Sequence, residues 1–395
     1  MMVILDRPYV SKFLEETILE MNLPVLENQS IDEFNLDEDI NFLEDKDFIA
    51  RVKNDIENNK RVLLYSNSEN PINWISKNLS FTDLAQKIDV FKDKVKFRDL
   101  LKYYYPDFFY QEVSFAELEQ LDISEFKKPF IIKPSIGFFS IGVYKVNSDL
   151  EWERAIKELK QEVKEMADKY PIEVINTTKF IIEENLEGEE FAVDIYYNDL
   201  GEPVILNILK HSFSSEEDVS DRVYMTSKEI IEEYHDLFLD FLSKMGQLIE
   251  LRNFPMHVEL RVDKSGNINP IEVNPMRFAG WCTTDLAYYA YGINVYEYLF
   301  GQKKPNWEEI LKDKVEKIYS IIVADLPKDI EASEIKGVNY DKFISYFEKV
   351  LEVRRIDYLK YNVFAFLFAE SSYENHGELD EILRSDLREY LKLKS

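Results

Sequence analysis

Residues 256–275, MHVELRVDKSGNINPIEVNP, are the stretch from which the fold and the candidate site can be predicted. Two runs of alternating apolar and polar residues flank the segment Asp-Lys-Ser-Gly-Asn, a pattern typical of a β-hairpin. If the turn consists of Ser-Gly alone, Glu259 lies opposite Glu272 on the neighbouring strand. His257 then lies opposite Asn274, and all four side chains share one face, because side chains alternate along a strand.

The two facing glutamates indicate a metal site. Carboxylates opposite each other on neighbouring strands repel, and a hard cation between them removes the repulsion. Mg²⁺ prefers oxygen ligands and keeps positions open for water or phosphate, which predicts Glu259, Glu272 and Asn274 as its ligands. The alternative is a solvent-exposed polar face, since a slip of one residue would turn Glu272 away. Pro270 removes a ladder hydrogen bond, so we expect an edge strand or an irregularity there.

The composition excludes several classes of protein. The 395 residues include 76 Asp and Glu against 48 Lys and Arg, a net charge of −28. So acidic a surface repels phosphate backbones and anionic lipid, so we expect no nucleic-acid or membrane partner. A single cysteine, Cys282, excludes a disulfide framework and fits a reducing compartment, the cytoplasm. The longest apolar run, 363–369, is too short to span a bilayer, and we expect no signal peptide in MMVILDRPYV.

Glycine is scarce and concentrated in one part of the chain. There are 11 glycines, about 3% against the usual ~7%, and nine of them lie between residues 137 and 301. The chain therefore has neither an N-terminal Gly-x-Gly-x-x-Gly fingerprint nor a Gly-x-x-x-x-Gly-Lys-Ser/Thr phosphate loop. We expect unusual backbone geometry in this glycine-containing segment.

The order of apolar runs suggests three regions. Short apolar runs alternate with amphipathic stretches before residue 93, which predicts a small α/β domain with a parallel sheet. Beyond it, the pattern predicts a mixture of strands and helices, with helices at 94–103, 115–121 and 284–299. Two strong strand signals within 304–395 indicate a smaller α/β appendage.

Residues 129–146, PFIIKPSIGFFSIGVYKV, are typical of a phosphate-binding loop. Lys133 ends an apolar strand, and a loop containing Gly137, Ser140 and Gly142 follows it. Glycines let backbone N–H groups approach phosphate oxygens, and the lysine adds a positive charge. The alternative is an ordinary hairpin.

Residues 180–197, FIIEENLEGEEFAVDIYY, form two predicted strands joined by an acidic linker with Gly188. The Glu190 carboxylate could accept hydrogen bonds from two ribose hydroxyls, while backbone groups of the linker could contact an adenine edge. The alternative is an ordinary acidic turn. His257 is interpreted as a substrate-contacting or packing residue, because magnesium seldom binds imidazole, and Cys282 as a buried thiol.

These segments resemble the ATP-grasp superfamily, of the carboxylate–amine ligase type. The resemblance rests on DKVKFR (93–98), KPSIGFFSIGV (133–143), EENLEGEEFAVD (183–194) and HVELRVDKSGNINPIEVNPMR (257–277), in this order. It implies an α/β (α+β grasp) fold with three parts. These are an N-terminal domain at 1–92, a two-lobed ATP-grasp domain at 93–303 with its nucleotide lobe at about 115–190, and the appendage at 304–395.

The resemblance also implies roles for individual residues. The implied ATP-binding residues are Lys94, Lys133, Gly137, Ser140, Gly142, Glu183, Glu184, Leu186, Glu190 and, for the γ-phosphate, Lys210. The implied ligands of two Mg²⁺ ions, with Mn²⁺ as an alternative, are Glu259, Glu272 and Asn274. Arg277 and Lys133 are the implied catalytic residues. The family's Asn-Pro-Arg is here Asn-Pro-Met-Arg, so the arginine comes one residue late.

The implied activity is that of an ATP-dependent ligase. It would join a small-molecule carboxylate to an amine through an acyl phosphate, releasing ADP and phosphate, and a homodimer is common in the family. One alternative is a small-molecule phosphotransferase of the same fold that stops at the phosphorylated product. A second is a non-catalytic ATP-binding regulatory module.

Overall fold

The computed structural model describes residues 1–137, 142–167, 179–215 and 221–394. Within these ranges the strands form four sheets: a parallel four-stranded sheet, an antiparallel four-stranded sheet, a central eight-stranded sheet and a two-stranded sheet. No helix in these ranges is long and apolar enough to cross a membrane.

The N-terminal region forms the predicted parallel sheet. Its elements are β1 (Met2–Ile4), α1 (Lys12–Glu20), β2 (Val25–Leu26), β3 (Phe42–Leu43), α2 (Asp45–Glu57), β4 (Leu64–Ser66), α3 (Ile72–Asn78) and α4 (Leu84–Lys92). The strands pair in the order β3-β2-β1-β4, all parallel. Every residue of β1 and β4 is buried, as is usual for parallel strands covered on both faces.

The second region is an antiparallel lobe with its own core. Its elements are α5 (Lys94–Leu101), β5 (Tyr110–Ser114), β6 (Phe130–Pro134), β7 (Tyr144–Val146), α6 (Asp149–Ala167) and β8 (Lys179–Glu184). The sheet order is β5-β8-β6-β7, and Phe130 and Phe180 are buried within its core. The helix expected at 115–121 is wrong: the structure has only a 3₁₀ turn, Leu118–Gln120. Leu118 is the only residue of that turn buried in the core, and so short a helix has little stability of its own.

The third region contains the hairpin. Its elements are β9 (Glu189–Tyr197), β10 (Pro203–Ser212), β11 (Val223–Ser227), α7 (Lys228–Leu248), β12 (Phe254–Val262), β13 (Ile268–Pro275), α8 (Leu286–Tyr291) and α9 (Val295–Gly301). β13 is the edge strand of the central sheet, next to β12. One face of this sheet is covered by α7, whose Phe238 packs on Phe191.

The helix expected at 284–299 is interrupted. A 3₁₀ turn at Thr283–Asp285 precedes α8, which ends at Gly292 with a left-handed φ of +72°. The Asn294 side chain then accepts from the N–H groups of Tyr296 and Glu297 and starts α9 as a new helix. Glycine at the C-terminal cap and asparagine at the next N-cap explain the break.

The C-terminal region extends the central sheet. Its elements are α10 (Trp307–Ile310), β14 (Lys317–Asp325), β15 (Ile335–Val338), α11 (Tyr340–Ile344), β16 (Lys349–Arg355), α12 (Tyr358–Tyr361), β17 (Val363–Ser372), α13 (Gly377–Arg384) and β18 (Leu391–Leu393). β14 pairs with β11, so the sheet order is β13-β12-β9-β10-β11-β14-β17-β16. The region has a separate apolar core around Phe343 and Phe364. The central sheet crosses the expected boundary at residue 303, and each core has residues from both sides of it: Tyr319 belongs to the larger core and Val223 to the smaller one.

Candidate active site

The hairpin brings the two predicted metal-binding glutamates together. β12 and β13 pair with Glu259 opposite Glu272 and His257 opposite Asn274. This confirms the register predicted at these four positions. All four therefore lie on one face of the sheet, opposite the face covered by α7.

The turn of the hairpin differs from the prediction. It has three residues, 264–266, because the N–H of Asp263 donates to the carbonyl of Asn267 at 3.0 Å. The pairing of Glu259 with Glu272 still agrees with the predicted register, because β13 carries one extra residue, Ile271, in a bulge. Pro270 lies at this bulge on the edge strand, as its missing N–H predicts.

The two glutamates have different electrostatic surroundings. The Asn274 Nδ2 lies 3.2 Å from Glu259 Oε1 and 3.4 Å from Glu272 Oε1. Burial, and then the facing Glu272, raises the pKa of Glu259 well above its usual range. Burial also opposes ionisation of Glu272, but Lys94, with Nζ 2.8 Å from Glu272 Oε2, and Lys92 lower its pKa far below the usual range.

The donor set fits a hard divalent cation. Two carboxylates and one amide supply oxygen ligands, and the amide can turn its oxygen toward a cation by rotation. Burial and the facing Glu272 raise the pKa of Glu259, and a cation between the two carboxylates would favour its charged form. Among the described residues, no group of three or more His, Cys, Asp or Glu could hold a metal ion, so Asn274 is needed to complete the set.

His257 is held from both sides. Its Nδ1 lies 2.8 Å from Asp194 Oδ1, and its Nε2 lies 3.7 Å from Glu259 Oε1. Asp194 also accepts from the N–H of Ala279 at 2.7 Å. Since both histidine and aspartate are buried, these contacts fix the ring orientation beside the glutamates.

Lys133 reaches the site from the end of β6. Its Nζ lies 2.6 Å from Glu183 Oε1, and Arg98 Nε donates to Glu183 Oε2 at 2.8 Å. Burial would raise the pKa of Glu183, but the two cations lower it to about 2. Arg98 also donates to the carbonyl of Pro270 at 2.5 Å and so joins the antiparallel lobe to the hairpin. The carboxylate of Glu183, expected near adenine, instead holds Lys133.

The glycine loop begins between two lysines. The carbonyl of Gly137 accepts from Lys92 Nζ and Lys94 Nζ, each at 3.4 Å. Gly142 has a φ of +72°, and a Cβ there would lie 3.1 Å from the ring of the proline that ends β6. The loop therefore requires glycine where it returns to the sheet. Ser140 lies outside the described residues.

The linker between β8 and β9 packs on the hairpin. The carbonyl of Leu186 accepts from Arg261 Nη1 at 2.5 Å. Gly188 has a φ of +121°, and a Cβ there would lie 2.2 Å from the carbonyl oxygen of Val262. Arg261 Nη2 also donates to Glu190 Oε2 at 2.8 Å. The linker, expected at the nucleotide base, is thus held by backbone and side-chain contacts.

A small cavity lies where this linker, α5 and the hairpin meet. Phe108, Leu186 and Pro270 are among the residues that line it. Glu184 lies two residues before Leu186 in the chain. Its Oε1 accepts from the N–H of Phe109 at 2.9 Å. The apolar lining at Phe108, Leu186 and Pro270 suits the face of a planar base.

Lys210 is not brought to this face. Its Nζ pairs with Glu189 on the side of the sheet that carries α7, where the Tyr234 hydroxyl also donates to Glu189 at 3.4 Å. His211, the next residue, faces the other way, with its Nδ1 3.0 Å from Glu190 Oε1. Because side chains alternate along β10, the lysine expected at the γ-phosphate points to the wrong face.

Arg277 reaches the site although it comes one residue late. The extra residue, Met276, is buried with a left-handed φ of +68°. Its N–H donates to the carbonyl of Pro255 at 2.9 Å, and its carbonyl accepts from the N–H of Ser66 at 2.8 Å. Arg277 Nη2 then lies 3.5 Å from Glu69 Oε1. The strained residue thus absorbs the insertion.

Sequence reasoning missed several residues of this site. They are Glu69, Lys92, Arg98, Asp194 and Arg261. Asp194 and Arg261 lie at even spacing from Glu190 and Glu259 on their own strands, so strand alternation could have found them. Glu69 follows β4 in another region, and no local pattern marks it.

Comparisons with known proteins agree with this geometry. Residues 126–285 match the family model of the ATP-grasp domain. No curated protein matches the chain significantly in sequence. Among solved structures, the fold is similar to that of the L-amino acid ligase from Bacillus licheniformis, at 16% identity and a TM-score of 0.70. That likeness covers 100% of this chain and 98% of the ligase.

Two further structures share the fold. N5-carboxyaminoimidazole ribonucleotide synthetase from Thermotoga maritima has 14% identity and a TM-score of 0.63, covering 100% of this chain and 99% of that one. Biotin carboxylase from Campylobacter jejuni has 12% identity and a TM-score of 0.60, covering 99% and 92%. At such low identity these structures show a common fold alone. Residues 126–285 thus match an ATP-grasp domain, and the chain as a whole shares the fold of these three structures.

Proposed function

We propose that the protein is an ADP-forming ligase that joins a carboxylate to an amine through an acyl phosphate. The observation that carries the proposal is the facing pair Glu259 and Glu272, with Asn274 between them and Lys94 beside them. Such a set can hold divalent cations that carry a triphosphate. The full-length likeness to a protein named L-amino acid ligase supports C–N bond formation and makes amino acids the first substrates to test.

The proposed metal site holds two Mg²⁺ ions, with Mn²⁺ as an alternative. Glu259, Glu272 and Asn274 would be their ligands, and Glu272 would contact both ions. When bound, the ions would neutralise phosphate charge. A biotin carboxylase domain of the same fold was solved with MgADP, which supports this metal and nucleotide.

The phosphates of ATP would lie between the antiparallel lobe and the hairpin. Lys94 and Lys133 would contact phosphate oxygens, under the loop that contains Gly137, Ser140 and Gly142. Both lysines are buried and already next to carboxylates, so they are positioned before the nucleotide binds.

The base and the ribose would lie along the linker. The backbone at Glu184 and Leu186 would contact adenine beside the cavity at Phe108. Glu190 would accept hydrogen bonds from the ribose hydroxyls while Arg261 and His211 hold its carboxylate in place.

The reaction would follow in two steps. An oxygen of the substrate carboxylate bonds to the γ-phosphorus while the bond from that phosphorus to the bridging oxygen of ADP breaks. The amine nitrogen then bonds to the acyl carbon, loses a proton, and displaces inorganic phosphate. Arg277 would stabilise negative charge on the carboxylate and the phosphoryl group.

The remaining proposals concern the whole protein. We propose an N-terminal domain at 1–92, an ATP-grasp domain at 93–303 and an appendage at 304–395. The substrates would be small molecules, consistent with a net charge of −28 that repels nucleic acid. We also propose a cytoplasmic homodimer.

Release of ADP in the presence of Mg²⁺ and ATP tests the function. Panels of amino acids and small carboxylates are added singly and in pairs, and products are identified by mass. A ligase releases ADP only when carboxylate and amine are both present, and its product has the summed mass less one water. ADP release without an amine would indicate a phosphotransferase. No ADP release, together with a melting temperature unchanged by Mg·ATP, would contradict any catalytic ATP site.

A further inference from the structure

We infer that Glu69, from the N-terminal region, is a positioning residue that holds Arg277 and Lys92 at the phosphate end of the site. This role deepens the proposed function, and any effect of Glu69 on turnover rests on that function. It identifies the contribution of the N-terminal region to the active site.

The Glu69 carboxylate lies between two cations. Its Oε2 is 2.5 Å from Lys92 Nζ, and its Oε1 is 3.5 Å from Arg277 Nη2. The side chains of Glu69 and Lys92 are 8% and 5% exposed, and that of Arg277 is 14% exposed. With so little water around it, this carboxylate is the main countercharge of both cations.

Lys92 links Glu69 to the glycine loop. Lys92 and Lys94 both donate to the carbonyl of Gly137, so two ammonium groups meet at one oxygen. Each has its own carboxylate: Glu69 for Lys92 and Glu272 for Lys94. Because like charges repel strongly away from water, both carboxylates are needed to keep the two lysines at the start of the loop.

The Arg277 guanidinium has a fixed orientation but uses only part of its hydrogen-bonding capacity within the described residues. Its Nη1 donates to the carbonyl of Phe278 at 2.9 Å, while the contact with Glu69 is an ion pair too long for a hydrogen bond. Glu69 Oε1 accepts no hydrogen bond from the described residues. A guanidinium has five N–H donors, so Arg277 retains donors for an anionic substrate.

The same short segment fixes the residue before the arginine. The N–H of Ser66 donates to the carbonyl of Met276, the extra residue, and Glu69 lies three positions later. Residues 66–69 therefore contact two successive residues of the loop that follows β13. Removing the charge of Glu69 should release the arginine without removing the backbone contact.

Steady-state kinetics of Glu69→Gln test the inference. The substitution keeps the shape, and displacement of Arg277 is expected to lower kcat by about 10- to 100-fold, since a misplacement near 1 Å can cost about 100-fold. The KM for ATP should change much less than kcat. In an Arg277→Lys background Glu69→Gln should add little, because the two residues act as a unit.

Asp55→Asn is the matched control. Asp55 is also a buried carboxylate of the N-terminal region, with Arg51 at 3.4 Å and one oxygen without a hydrogen bond from the described residues. It has no contact with the hairpin or the glycine loop in the described part of the chain. Asp55→Asn should leave kcat unchanged even where its effect on the melting temperature equals that of Glu69→Gln.

Chemical labelling provides a readout that needs no turnover. Modification of Arg277 by phenylglyoxal, followed by peptide mass spectrometry, should be several-fold faster in Glu69→Gln than in wild type or Asp55→Asn. Arg354 serves as the internal reference. Equal labelling rates, or additive effects of Glu69→Gln and Arg277→Lys on kcat, would overturn the inference. If wild type shows no ligase turnover, the proposed function fails and the labelling rates alone decide the role of Glu69.

Discussion

Glu259 and Glu272 are identical side chains on adjoining strands, yet their surroundings differ. Glu272 has Lys94 at 2.8 Å, whereas Glu259 faces Glu272 and lies near the Asn274 amide and the His257 ring. The opposite directions of their pKa shifts follow from this arrangement. Lys94 therefore keeps Glu272 ionised even when no metal ion is bound, which suits Glu272 to the bridging position of the proposed metal site.

Glu272→Gln should abolish Mg²⁺-dependent ATP turnover while the fold persists. The amide keeps the shape but removes the charge, and the loss should exceed the ~100-fold that removal of an outer-shell partner can cost. ADP release measures turnover, and circular dichroism checks the fold.

Glu370→Gln is the control for this substitution. Glu370 lies on β17 of the same sheet and pairs with Lys317 and Lys349, away from the hairpin. Wild-type turnover in Glu272→Gln would show that the metal assignment is wrong.

Glu183 should make stability depend on acid pH. Its pKa falls from 4.5 to about 2 because Arg98 and Lys133 outweigh its burial. Since the folded pKa lies below the unfolded one, the contribution is complete above about pH 4.5 and is lost as the pH falls toward 2. At neutral pH it amounts to ~3 kcal/mol.

Urea unfolding of wild type and Glu183→Gln at several acid pH values checks this prediction. The free energy of unfolding of wild type should fall by ~3 kcal/mol more than that of the variant across this pH range. Parallel curves for the two proteins would contradict the assignment of the low pKa to Glu183.

The hairpin shows how local irregularities combine within an element. The three-residue turn adds one residue to the loop, and Ile271 adds one to β13. The two changes cancel at Glu259 and Glu272, which therefore face each other as a plain two-residue turn would have placed them. Without the bulge, the three-residue turn would place Ile271 opposite Glu259 and turn Glu272 to the other face of the strand.

Gly188→Ala should destabilise the protein far more than Gly266→Ala. Both glycines have positive φ, +121° and +80°, so each alanine costs roughly 1–2 kcal/mol in backbone strain. Only at position 188 would the new Cβ also meet backbone, the Val262 carbonyl at 2.2 Å.

Thermal melting with and without Mg·ATP measures the difference. Gly188→Ala should lower the melting temperature and weaken stabilisation by the nucleotide, since the linker lies at the proposed base site. Equal effects of the two substitutions would show that the linker is not packed tightly on the hairpin.

Three regions of the molecule meet at one buried carboxylate, Asp285. Arg354 of β16 lies 2.5 Å from Asp285 Oδ2, and the Ser11 hydroxyl donates to the same oxygen at 2.6 Å. The Tyr296 hydroxyl donates to Oδ1 at 3.3 Å. The C-terminal strands and the N-terminal helix α1 are thereby joined to the segment that precedes α8.

Arg354→Met should destabilise the whole protein by about 3–5 kcal/mol, because it leaves a buried carboxylate without its countercharge. Adding Asp285→Asn to Arg354→Met should recover part of this loss, since the uncompensated charge is then absent. Urea unfolding measures both. A loss of ~1 kcal/mol or less, typical of an exposed ion pair, would contradict the structural role of this contact.

The sequence by itself determined the elements whose causes are local. Alternation along 257–262 and 268–275 placed Glu259, Glu272 and Asn274 on one face. Apolar runs likewise marked the parallel sheet, and glycines marked the two ends of the loop after β6, at Gly137 and Gly142. These predictions depend on residues close together in the chain, for which strand alternation is sufficient; the turn was predicted one residue too short, and the bulge at Ile271 restored the pairing of the glutamates.

Only the tertiary structure decided which distant side chains complete the site. It brought Glu69 to Arg277, assigned Glu183 to Lys133 and turned Lys210 toward α7. Such contacts depend on how sheets and lobes pack, and a burial pattern in the sequence does not specify the partner of a buried charge. For that reason the facing pair of glutamates was predictable, whereas the contacts of the lysines and arginines around it were not.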